Sequence, residues 1–387
     1  MKILLVHNFY QQAGGEDVVF EAERSMLVAA GHTVETYTVS NDDLKHVPAL
    51  KMAIRTVWNA EAARTLAELV RRQNIDVVHF HNTFPMLSPA VYQAVRAAGA
   101  AAVQTLHNYR LVCANALLYR DDRPCEDCLG VLPWPAIKHR CYRESLAASA
   151  TVAGTQVLHR VFRTYQREID AYIALTSFAR HKFIEGGLPP ELLHVKPNFL
   201  DEDPGVGSGG GGYALFIGRL TPEKGIRTLL KAWENPGHAL PLKILGHGPL
   251  APEVEAAARL SPGIEWLGQR PRSEVMRLAG EAECLVFPSE WYEGFPMTIV
   301  EAFAVGLPVI ASRVGALPEI VESGRTGLHF APGDAESLKA AVGSMTTEKR
   351  ALWSAGARAE FEHRYTRPQN ILELMSIYHT ALQRKGH

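Results

Sequence analysis

Several features that would assign a chain to a class at once are missing from this sequence of 387 residues. No apolar run approaches the roughly 20 residues that a helix needs to cross a bilayer. Lys plus Arg (40) nearly balance Asp plus Glu (41), so the net charge gives no indication of nucleic-acid binding. The apolar run at residues 1–7 is too short for a signal peptide and is typical of a first strand. We therefore expect a soluble, cytoplasmic protein that does not bind nucleic acid.

Cysteine is also scarce, with five residues in the chain. An odd number of cysteines in a chain with cytosolic features gives poor support for a disulfide framework. Hydrophobic residues make up 47% and charged residues 21%, a globular balance that excludes a disordered or fibrous protein. The length is enough for two ordinary α/β domains, each with a core of its own.

Short apolar runs alternate with amphipathic stretches along most of the chain, as at residues 17–30 and 61–72. Alternating strands and helices with β-branched runs predict parallel sheets covered on both faces. The predicted strands of the first half are 3–6, 34–39, 77–80, 102–106 and 172–174. Those of the second half are 214–217, 242–245, 264–267, 284–287, 308–311 and 328–330. The predicted fold class is therefore α/β, with two doubly wound domains.

The alternation stops at residues 201–212, where an acidic run precedes four consecutive glycines. This composition predicts a flexible linker or a boundary loop. We expect a first domain at 1–200, a second domain at 213–365, and a last helix at 366–387 that packs back on the first domain. Ligands of doubly wound sheets lie at the carboxyl ends of strands, so two facing domains predict an interdomain cleft.

Arg219 and Lys224 lie in the segment Phe-Ile-Gly-Arg-Leu-Thr-Pro-Glu-Lys-Gly, directly after a predicted strand. Thr221 and Pro222 are a good N-cap and first-turn pair for a following helix. The helix dipole disfavours a cation in the first turn. Two cations at a helix start therefore predict a bound anion, and a solvated surface pair is the alternative.

Glu293 and Glu301 lie in a second segment, which follows a predicted strand and opens a helix near Pro296. Apolar residues flank Glu301, and a carboxylate is costly in such a helix unless it is paired or hydrogen-bonded. An ionised carboxylate accepts hydrogen bonds, which suits the two donors of a ribose or sugar diol. A buried salt bridge or an exposed edge position is the alternative for Glu301.

Together the two segments give Gly-Arg-x-x-x-x-Lys-Gly, then Glu-Gly-Phe-Pro, and a second Glu after seven intervening residues. This combination resembles the retaining glycosyltransferases of the GT-B fold, family 4. The resemblance extends over nearly the whole chain and includes Gly14-Gly15, His107 and the run Gly246-His247-Gly248-Pro249. It implies two facing Rossmann-like domains, the first on the acceptor side and the second binding the nucleotide sugar.

The resemblance also implies a role for each matching residue. Arg219 and Lys224 would neutralise the donor diphosphate as the sugar–phosphate bond breaks. Glu301 would hold the ribose hydroxyls, Glu293 would hold hydroxyls of the transferred sugar, and His107 would project towards that sugar. The implied catalytic residues are His107, Arg219, Lys224 and Glu293.

Close approach of a ligand to the backbone is implied at Gly14 and Gly15, where a side chain would block it. The alternatives are a plain turn at these glycines and a neutral histidine in the interdomain wall at His107. The backbone near residues 268–270 would contact the base. The implied donor-binding residues are Gly14, Gly15, Gly218, Arg219, Lys224, Gly246, Arg270, Glu293, Gly294, Phe295, Pro296 and Glu301.

The implied reaction retains the anomeric configuration, through front-side attack assisted by the departing phosphate. No catalytic metal is expected, because Arg219 and Lys224 supply the positive charge. The donor would be a nucleoside-diphosphate sugar, with a UDP-sugar favoured and GDP-mannose next. A sugar, lipid-linked or small-molecule acceptor would place the reaction in polysaccharide or glycoconjugate biosynthesis. The alternatives are an epimerase or phosphorylase on the same fold, or an inactive nucleotide-sugar-binding protein.

Four of the cysteines fall in a long insertion at residues 108–145, where a Cys-x-x-Cys pair is flanked by two outlying cysteines. Four thiolates in such an arrangement can hold Zn²⁺ tetrahedrally. The sequence predicts a structural zinc on Cys113, Cys125, Cys128 and Cys141. Reduced cysteines without a metal are the alternative.

Cations are mixed with apolar residues in two further stretches, 44–58 and 138–167. Basic amphipathic helices can dock on anionic lipid, so a weak peripheral contact with the inner membrane face is one hypothesis. The favoured interpretation is a solvated helix face.

Overall fold

The computed structural model describes residues 1–11, 14–42, 47–234 and 240–385. The chain divides into two units, each built on a six-stranded sheet. The first unit comprises Met1–Leu118, Glu126–Asp201 and Arg367–His387. The second unit comprises Tyr119–Cys125 and Glu202–Thr366. The α/β class with two parallel-sheet, Rossmann-like domains is therefore confirmed.

The first half of the chain supplies eight strands and eight helices within the described residues. The strands are β1 (Lys2–Phe9), β2 (Thr33–Ser40), β3 (Val77–Phe80), β4 (Ala101–Leu106), β5 (Tyr119–Arg120), β6 (Arg123–Pro124), β7 (Ala171–Ala174) and β8 (Leu193–Val195). The helices are α1 (Gly15–Ala29), α2 (Ala49–Val57), α3 (Ala60–Gln73), α4 (Ala90–Ala97), α5 (Trp134–Lys138), α6 (Leu146–Val161), α7 (Thr164–Arg167) and α8 (Ser177–Glu185). A short 3-10 turn, Pro190–Leu192, precedes β8.

The sheet of the first unit has the order β2-β1-β3-β4-β7-β8, and all its neighbouring strands are parallel. Its strands β3, β4 and β7 are buried along their whole length because helices cover both faces. The strand order reverses between β1 and β3, so the loops after these two strands diverge and leave room for a ligand there.

The second half supplies six strands and eight helices within the described residues. The strands are β9 (Ala214–Ile217), β10 (Leu242–Leu245), β11 (Ile264–Gly268), β12 (Cys284–Phe287), β13 (Val309–Ser312) and β14 (Gly327–Phe330). The helices are α9 (Ile226–Ala232), α10 (Ala251–Leu260), α11 (Arg272–Glu281), α12 (Met297–Ala304), α13 (Leu317–Ile320), α14 (Ala335–Gly343), α15 (Thr347–Arg364) and α16 (Arg367–Lys385). The parallel sheet has the order β11-β10-β9-β12-β13-β14, which reverses between β9 and β12.

Helix α16 belongs to the first unit, although it follows the second unit in the chain. Its buried side chains Leu374, Ile377 and Tyr378 share a hydrophobic core with Ile3 of β1 and Val103 of β4. Full burial of an aliphatic side chain of this size contributes roughly 1.5–3 kcal/mol. This apolar stripe therefore holds the last helix against the first sheet.

The glycine-rich segment, for which the composition predicts a flexible linker or a boundary loop, makes backbone hydrogen bonds to the second unit. The backbone N–H of Gly207 donates to the carbonyl of Val305 at 2.9 Å, and that of Gly209 donates to Gly280 at 2.8 Å. Gly211 donates to Glu281 at 2.8 Å in the same way. These bonds hold the segment along the second unit as a loop without helix or strand at residues 203–213.

Three strands were not predicted. β8 is three residues long, and β5 and β6 form an antiparallel hairpin of two residues each. Runs this short carry no readable periodicity. Within the described residues, no helix combines the length and the apolar character that a membrane crossing requires.

Candidate functional site

The predicted cation and carboxylate of the second unit come together where its strand order reverses. Lys224 lies in a 3-10 turn, Pro222–Lys224, in the loop after β9, and Glu293 lies in the loop after β12. The Lys224 Nζ atom is 2.7 Å from Oε1 of Glu293, and Ser289 Oγ donates to the same oxygen at 2.6 Å. Because Glu293 is only 4% exposed, its charge needs these two partners.

The turn that carries Lys224 is not the helix start that the sequence predicted. Helix α9 begins at Ile226, and Thr221 forms no side-chain cap but donates to Glu223 Oε1 at 2.7 Å. Gly225, at φ +70°, separates the turn from the helix, and a Cβ there would lie 1.8 Å from the carbonyl oxygen of Pro288. Glycine is thus required for the close contact that seats Lys224 beside the loop after β12.

Arg219 remains accessible beside this pair. Its side chain is 63% exposed, and its guanidinium is 3.9 Å from Glu223, a surface pair of little energetic weight. The aromatic rings of Phe287 and Trp291 lie 5.6 Å and 5.4 Å from Lys224 Nζ. One exposed cation and one partly enclosed cation therefore follow β9.

The predicted glycines of the second unit lie at the carboxyl ends of three adjacent strands. Gly218 donates to the carbonyl of Leu245 at 3.1 Å, and Gly246 donates to Gly268 at 2.9 Å. These backbone bonds extend the sheet past the ends of β9, β10 and β11. Arg270 follows this edge as an exposed side chain, 3.7 Å from Glu274.

Glu301, in α12, is paired rather than isolated. Arg272 Nη1 lies 2.9 Å from its Oε1. Burial raises the pKa of Glu301, and the neighbouring Arg272 guanidinium opposes that rise. Since a carboxylate has about four lone-pair sites, this pairing leaves acceptor capacity for a diol.

The loop between β12 and α12 contains the other predicted donor residues. Pro296 is the N-cap of α12 and supplies no side-chain hydrogen bond. The Phe295 ring packs against that of Tyr365 with centroids 6.0 Å apart. Gly294 connects Glu293 to this anchored ring, so the loop holds the carboxylate in place from both sides.

In the first unit, Gly14 and Gly15 begin helix α1. Asp17 accepts from the Gly14 N–H at 2.8 Å, and its other oxygen lies 2.7 Å from His7 Nε2. A Cβ on Gly14, which has φ −126°, would meet nothing within 4 Å in the described part of the chain. Packing against the described residues therefore does not require glycine at this position.

Glu16 is a candidate ligand-binding residue that the sequence analysis did not identify. Asn82 Nδ2 donates to its Oε1 at 3.2 Å. Burial, followed by the charge of Asp17, raises the pKa of Glu16 to about 8, against the opposing charge of Arg110. A carboxyl group that is partly neutral near pH 7 can donate as well as accept a hydrogen bond.

His107 directly follows β4 and is the end of a buried polar chain. Its Nε2 is 3.1 Å from Nδ1 of His81, whose Nε2 is 3.3 Å from Oε2 of Glu23. The other Glu23 oxygen is 2.8 Å from Lys196 Nζ. A recognisable sequence signal was the alternation of His79, in β3, with His81, directly after β3, in an otherwise apolar run.

The predicted zinc cysteines are divided between the units, with Cys125 in the second and Cys113, Cys128 and Cys141 in the first. The Cys113 thiol donates to Asn115 Oδ1 at 2.9 Å. Among the described residues, two side-chain groups bring three potential metal ligands within 4.8 Å of one another, and neither contains a cysteine. Those groups are Glu23, His79 and His81, and His7, Glu16 and Asp17. The structural zinc stays a prediction.

Asp201 and Asp203 form an Asp-x-Asp spacing, which the expectation of no catalytic metal did not take into account. Arg367 Nε donates to Asp201 Oδ1 at 2.7 Å. Arg358 holds Asp203 with two bonds, at 2.7 and 2.6 Å, and this lowers the pKa of Asp203. Both carboxylates are thus engaged by arginines in this structure.

Comparison with known proteins places this geometry in a family. A model described as Glycosyltransferase Family 4 matches residues 13–204, and one described as Glycosyl transferases group 1 matches residues 211–348. O-antigen chain mannosyltransferase B of Escherichia coli is 36% identical over 140 residues, which are 34% of this chain and 36% of that protein. An uncharacterized glycosyltransferase of Methanocaldococcus jannaschii is 24% identical over 390 residues, 98% of each chain.

A solved structure shows the same fold. Anabaena Alr3699/HepE in complex with UDP has a TM-score of 0.66 and 18% identity, over 97% of this chain and 100% of that chain. This chain spans about a third of the length of the first two curated relatives that it matches. The chain belongs to the family 4 glycosyltransferases and has the GT-B fold.

Proposed function

We propose that the protein transfers a sugar from a nucleoside-diphosphate sugar to a sugar, lipid-linked or small-molecule acceptor in polysaccharide or glycoconjugate biosynthesis. The observation that carries this proposal is the Lys224–Glu293 pair of 2.7 Å at the reversal of strand order in the second unit. Ligands of doubly wound sheets bind at that point. UDP is the favoured nucleotide and GDP the next, and Alr3699/HepE supports UDP because it was solved with that nucleotide.

The cations after β9 suit a departing diphosphate. An ammonium has three N–H donors, and Glu293 takes one of those of Lys224. The remaining donors and the exposed Arg219 guanidinium can meet phosphate oxygens whose charge grows as the bond to the sugar breaks. We propose that this stabilisation replaces a catalytic metal, and that the configuration at the anomeric carbon is retained.

The carboxylates would bind hydroxyl groups. Glu293, fixed by Lys224 and Ser289, would accept from the transferred sugar, and Glu301 would accept from the ribose. His107 would contact the sugar from the first unit. Gly14 and Gly15 would let a ligand approach the start of α1, where free N–H groups favour an anion.

Calorimetric titration with UDP, GDP and ADP tests the donor site. We expect one nucleotide to bind, and Lys224→Ala to weaken that binding at least tenfold, since charge-assisted hydrogen bonds contribute about 1.5–3 kcal/mol. The matched control is Lys231→Ala, an exposed lysine of α9. Folded protein that bound none of the three at millimolar concentration would refute the proposal.

Product analysis separates the enzymatic alternatives. Conversion of the donor sugar without any acceptor would indicate an epimerase, and release of a sugar phosphate in inorganic phosphate would indicate a phosphorylase. NMR of the anomeric proton in the transferred product tests retention. An inverted configuration would remove the front-side mechanism while leaving the transferase assignment intact.

A membrane contact is a second proposal, because α2 and α6 carry exposed apolar side chains. Leu50 and Ile54 of α2 are 75% and 60% exposed, and Val161 and Phe162 at the end of α6 are 71% and 59% exposed. The two helices pack together through a hydrogen bond of 2.9 Å from His159 Nε2 to the carbonyl of Val57. Lys45, in the same predicted basic stretch, lies outside the described residues.

Co-sedimentation with vesicles tests this surface. We expect binding to vesicles that contain anionic lipid, and loss of binding in Leu50→Glu/Ile54→Glu. The matched control is Leu260→Glu, an exposed leucine of the second unit. Equal and negligible binding to neutral and anionic vesicles would remove the membrane contact.

A structural zinc on the four cysteines of the insertion is a further proposal. Elemental analysis should find one zinc per chain. A folded, metal-free protein whose four thiols react with a thiol reagent would refute it.

A further inference from the structure

A closed set of hydrogen bonds surrounds the buried ion pair of the first unit. Glu23 of α1 and Lys196, which directly follows β8, are both 0% exposed. The Lys196 ammonium donates to Glu23 Oε1 at 2.8 Å and to Asn370 Oδ1 at 2.9 Å. Asn370 in turn donates to the carbonyl of Pro197 at 2.7 Å.

The second oxygen of Glu23 faces histidines. Its Oε2 is 3.3 Å from His81 Nε2 and 3.5 Å from His79 Nδ1. His79 already has a partner for each nitrogen, Tyr378 Oη at 2.9 Å and Thr105 Oγ1 at 2.8 Å. Glu23 Oε2 and His81 Nε2 have no other hydrogen-bond partner among the described residues, so each is the other's natural partner.

The charge balance of this cluster favours neutral imidazoles. Burial alone would raise the pKa of Glu23, but Lys196 and the neighbouring histidines hold it well below its usual value. Glu23 is therefore ionised, and Lys196 already neutralises it. A protonated histidine would add an uncompensated buried charge, which is costly. Burial, with the charge of His81 next, holds the pKa of His107 well below its usual value.

The proton positions then follow along the hydrogen bonds from Glu23 through His81 to His107. A carboxylate only accepts, so His81 must carry its proton on Nε2 to donate to Glu23. Its Nδ1 is then a lone pair that accepts from His107 Nε2 across 3.1 Å. His107 consequently carries its own proton on Nε2 and keeps Nδ1 as an acceptor. His107 Nδ1 makes no hydrogen bond within the described residues.

We propose that Glu23 and Lys196 are positioning residues that act through His81 to fix His107 in the Nε2–H tautomer, so that His107 accepts a hydrogen bond from a hydroxyl of the bound sugar. The consequence at the substrate rests on the transferase function proposed above. The tautomer itself does not, because it is a property of the protein without ligand.

Nitrogen NMR of the histidine side chains in the full-length protein tests the proposal at pH 7.5 without substrate. The His107 signals, assigned by their loss in His107→Gln, should show a protonated Nε2 and an unprotonated Nδ1. A protonated Nδ1, or an imidazolium at this pH, would overturn the proposal. UDP titration of the same sample shows separately whether the donor site works.

A charge-neutral double variant tests whether Glu23 sets the tautomer. In Glu23→Gln/Lys196→Met the amide can donate as well as accept, so His81 is no longer forced to donate. We expect the His107 signals to shift towards a mixture of both tautomers. Unchanged signals in the folded double variant would refute the positioning role.

Tyr378→Phe is the matched control. It removes the hydroxyl partner of His79 in the same buried cluster but leaves the path from Glu23 through His81 to His107 intact. We expect its His107 tautomer to match that of the parent protein. An equal disturbance would assign the effect to loss of packing and overturn the proposal.

The pH dependence of the His107 signals provides a second measurement. Five titratable groups surround the hydrogen-bonded histidines His81 and His107. They are His7 on β1, Glu23 on α1, His79 on β3, Lys196 after β8 and Tyr378 on α16. Removal of Lys196 alone leaves Glu23 uncompensated and favours an imidazolium. His107 should therefore protonate at higher pH in Lys196→Met than in the parent, and an unchanged midpoint would contradict the proposed charge balance.

Discussion

The two units have the same number of parallel strands and one reversal of strand order each, yet they hold charge in opposite ways. At the reversal in the second unit, Arg219 is exposed and Lys224 is 17% exposed. In the first unit, Glu23 and Lys196 are fully buried and have partners within the chain. Charges of the first kind can reach a ligand directly, whereas charges of the second kind act on a ligand only through another side chain.

This difference sets what each unit can do. Exposed cations can neutralise a phosphate without a large desolvation cost at the moment of reaction. A buried pair cannot move towards a ligand, but it holds the imidazoles around it in one protonation pattern. Substitutions in each unit and a change of pH test this difference.

Lys196→Met should have the largest effect on stability. Removal of one partner of a buried ion pair leaves an uncompensated charge and costs about 3–5 kcal/mol. Calorimetry should show the unfolding transition of the first unit at a lower temperature, with that of the second unit unchanged. The double variant Glu23→Gln/Lys196→Met should recover part of the loss, and a single variant as stable as the parent would show that the pair is not buried in solution.

Lys224→Ala should lower the transfer rate about 100- to 1000-fold, the usual cost of removing one group that stabilises charge in the transition state. Its stability should fall by about 1–3 kcal/mol, because Glu293 is left buried with Ser289 as its one remaining partner among the described residues. The test is the initial transfer rate under saturating donor, with Lys231→Ala as the control. A parental rate in Lys224→Ala would remove the assignment of the donor site.

Acidification should loosen the first unit before the second. Burial lowers the pKa of His7 and holds that of His79 well below its usual value, and in the second unit His329 is the histidine with a lowered pKa among the described residues. A lowered folded pKa stabilises the fold fully above the unfolded value near 6.5, and this stabilisation is lost as pH falls below it. The first unit should therefore lose stability as pH falls below about 6.5, because the unfolded chain then binds protons that the buried His7 and His79 resist binding.

Hydrogen exchange corrected for intrinsic rates measures this contrast. Peptides from β1 and β3 should lose protection at pH 5.5, whereas peptides from β9 and β12 should change less. Equal loss in both units would indicate that the buried histidines do not control the acid response.

Glu301→Gln should raise the donor KM by about tenfold, because a hydrogen bond to a charged group contributes about 1.5–3 kcal/mol. Arg272→Gln provides the contrast, since it removes the partner at 2.9 Å but leaves the carboxylate. Donor KM values from both variants decide between ribose binding and a structural salt bridge. If Glu301 only forms a salt bridge with Arg272, the donor KM should change equally and by a small factor in the two variants.

Gly14→Ala should have the smallest effect on stability, less than about 1 kcal/mol, because nothing in the described part of the chain lies within 4 Å of the added Cβ. Gly225→Ala should cost about 1–3 kcal/mol or more, since its φ of +70° and the contact with Pro288 both disfavour a side chain. Thermal unfolding measures both. If Gly14→Ala also lowers the transfer rate, a ligand approaches that backbone.

The contrast also explains how much the sequence could predict. The residues of the second unit lie in two short segments directly after β9 and β12, so local motifs in the sequence are enough to single out Lys224 and Glu293. The α/β class and most strands were equally readable, because parallel strands are continuous apolar runs. The helix start at Thr221 was wrong because Gly225 adopts a left-handed conformation and delays α9 to Ile226.

The first unit was harder to predict because its functional candidates are dispersed. Lys196 and Glu23 are 173 residues apart in the chain, and Asn370 is a further 174 residues beyond Lys196. No local pattern marks such partners, since each is a single polar residue in an apolar context. Only the alternation of His79 and His81 gave a local indication.

The return of α16 to the first unit has a consequence for biosynthesis. During translation, residues 1–201 leave the ribosome long before Asn370 and Tyr378 exist, so Lys196 and His79 lack one partner each for most of the synthesis. The buried polar groups of the first unit therefore lack some of their hydrogen-bond partners until α16 has been synthesised. Most of the second unit, residues 202–366, is one continuous segment and can fold as it is synthesised. The first unit is therefore completed by α16 only after the second unit has been synthesised.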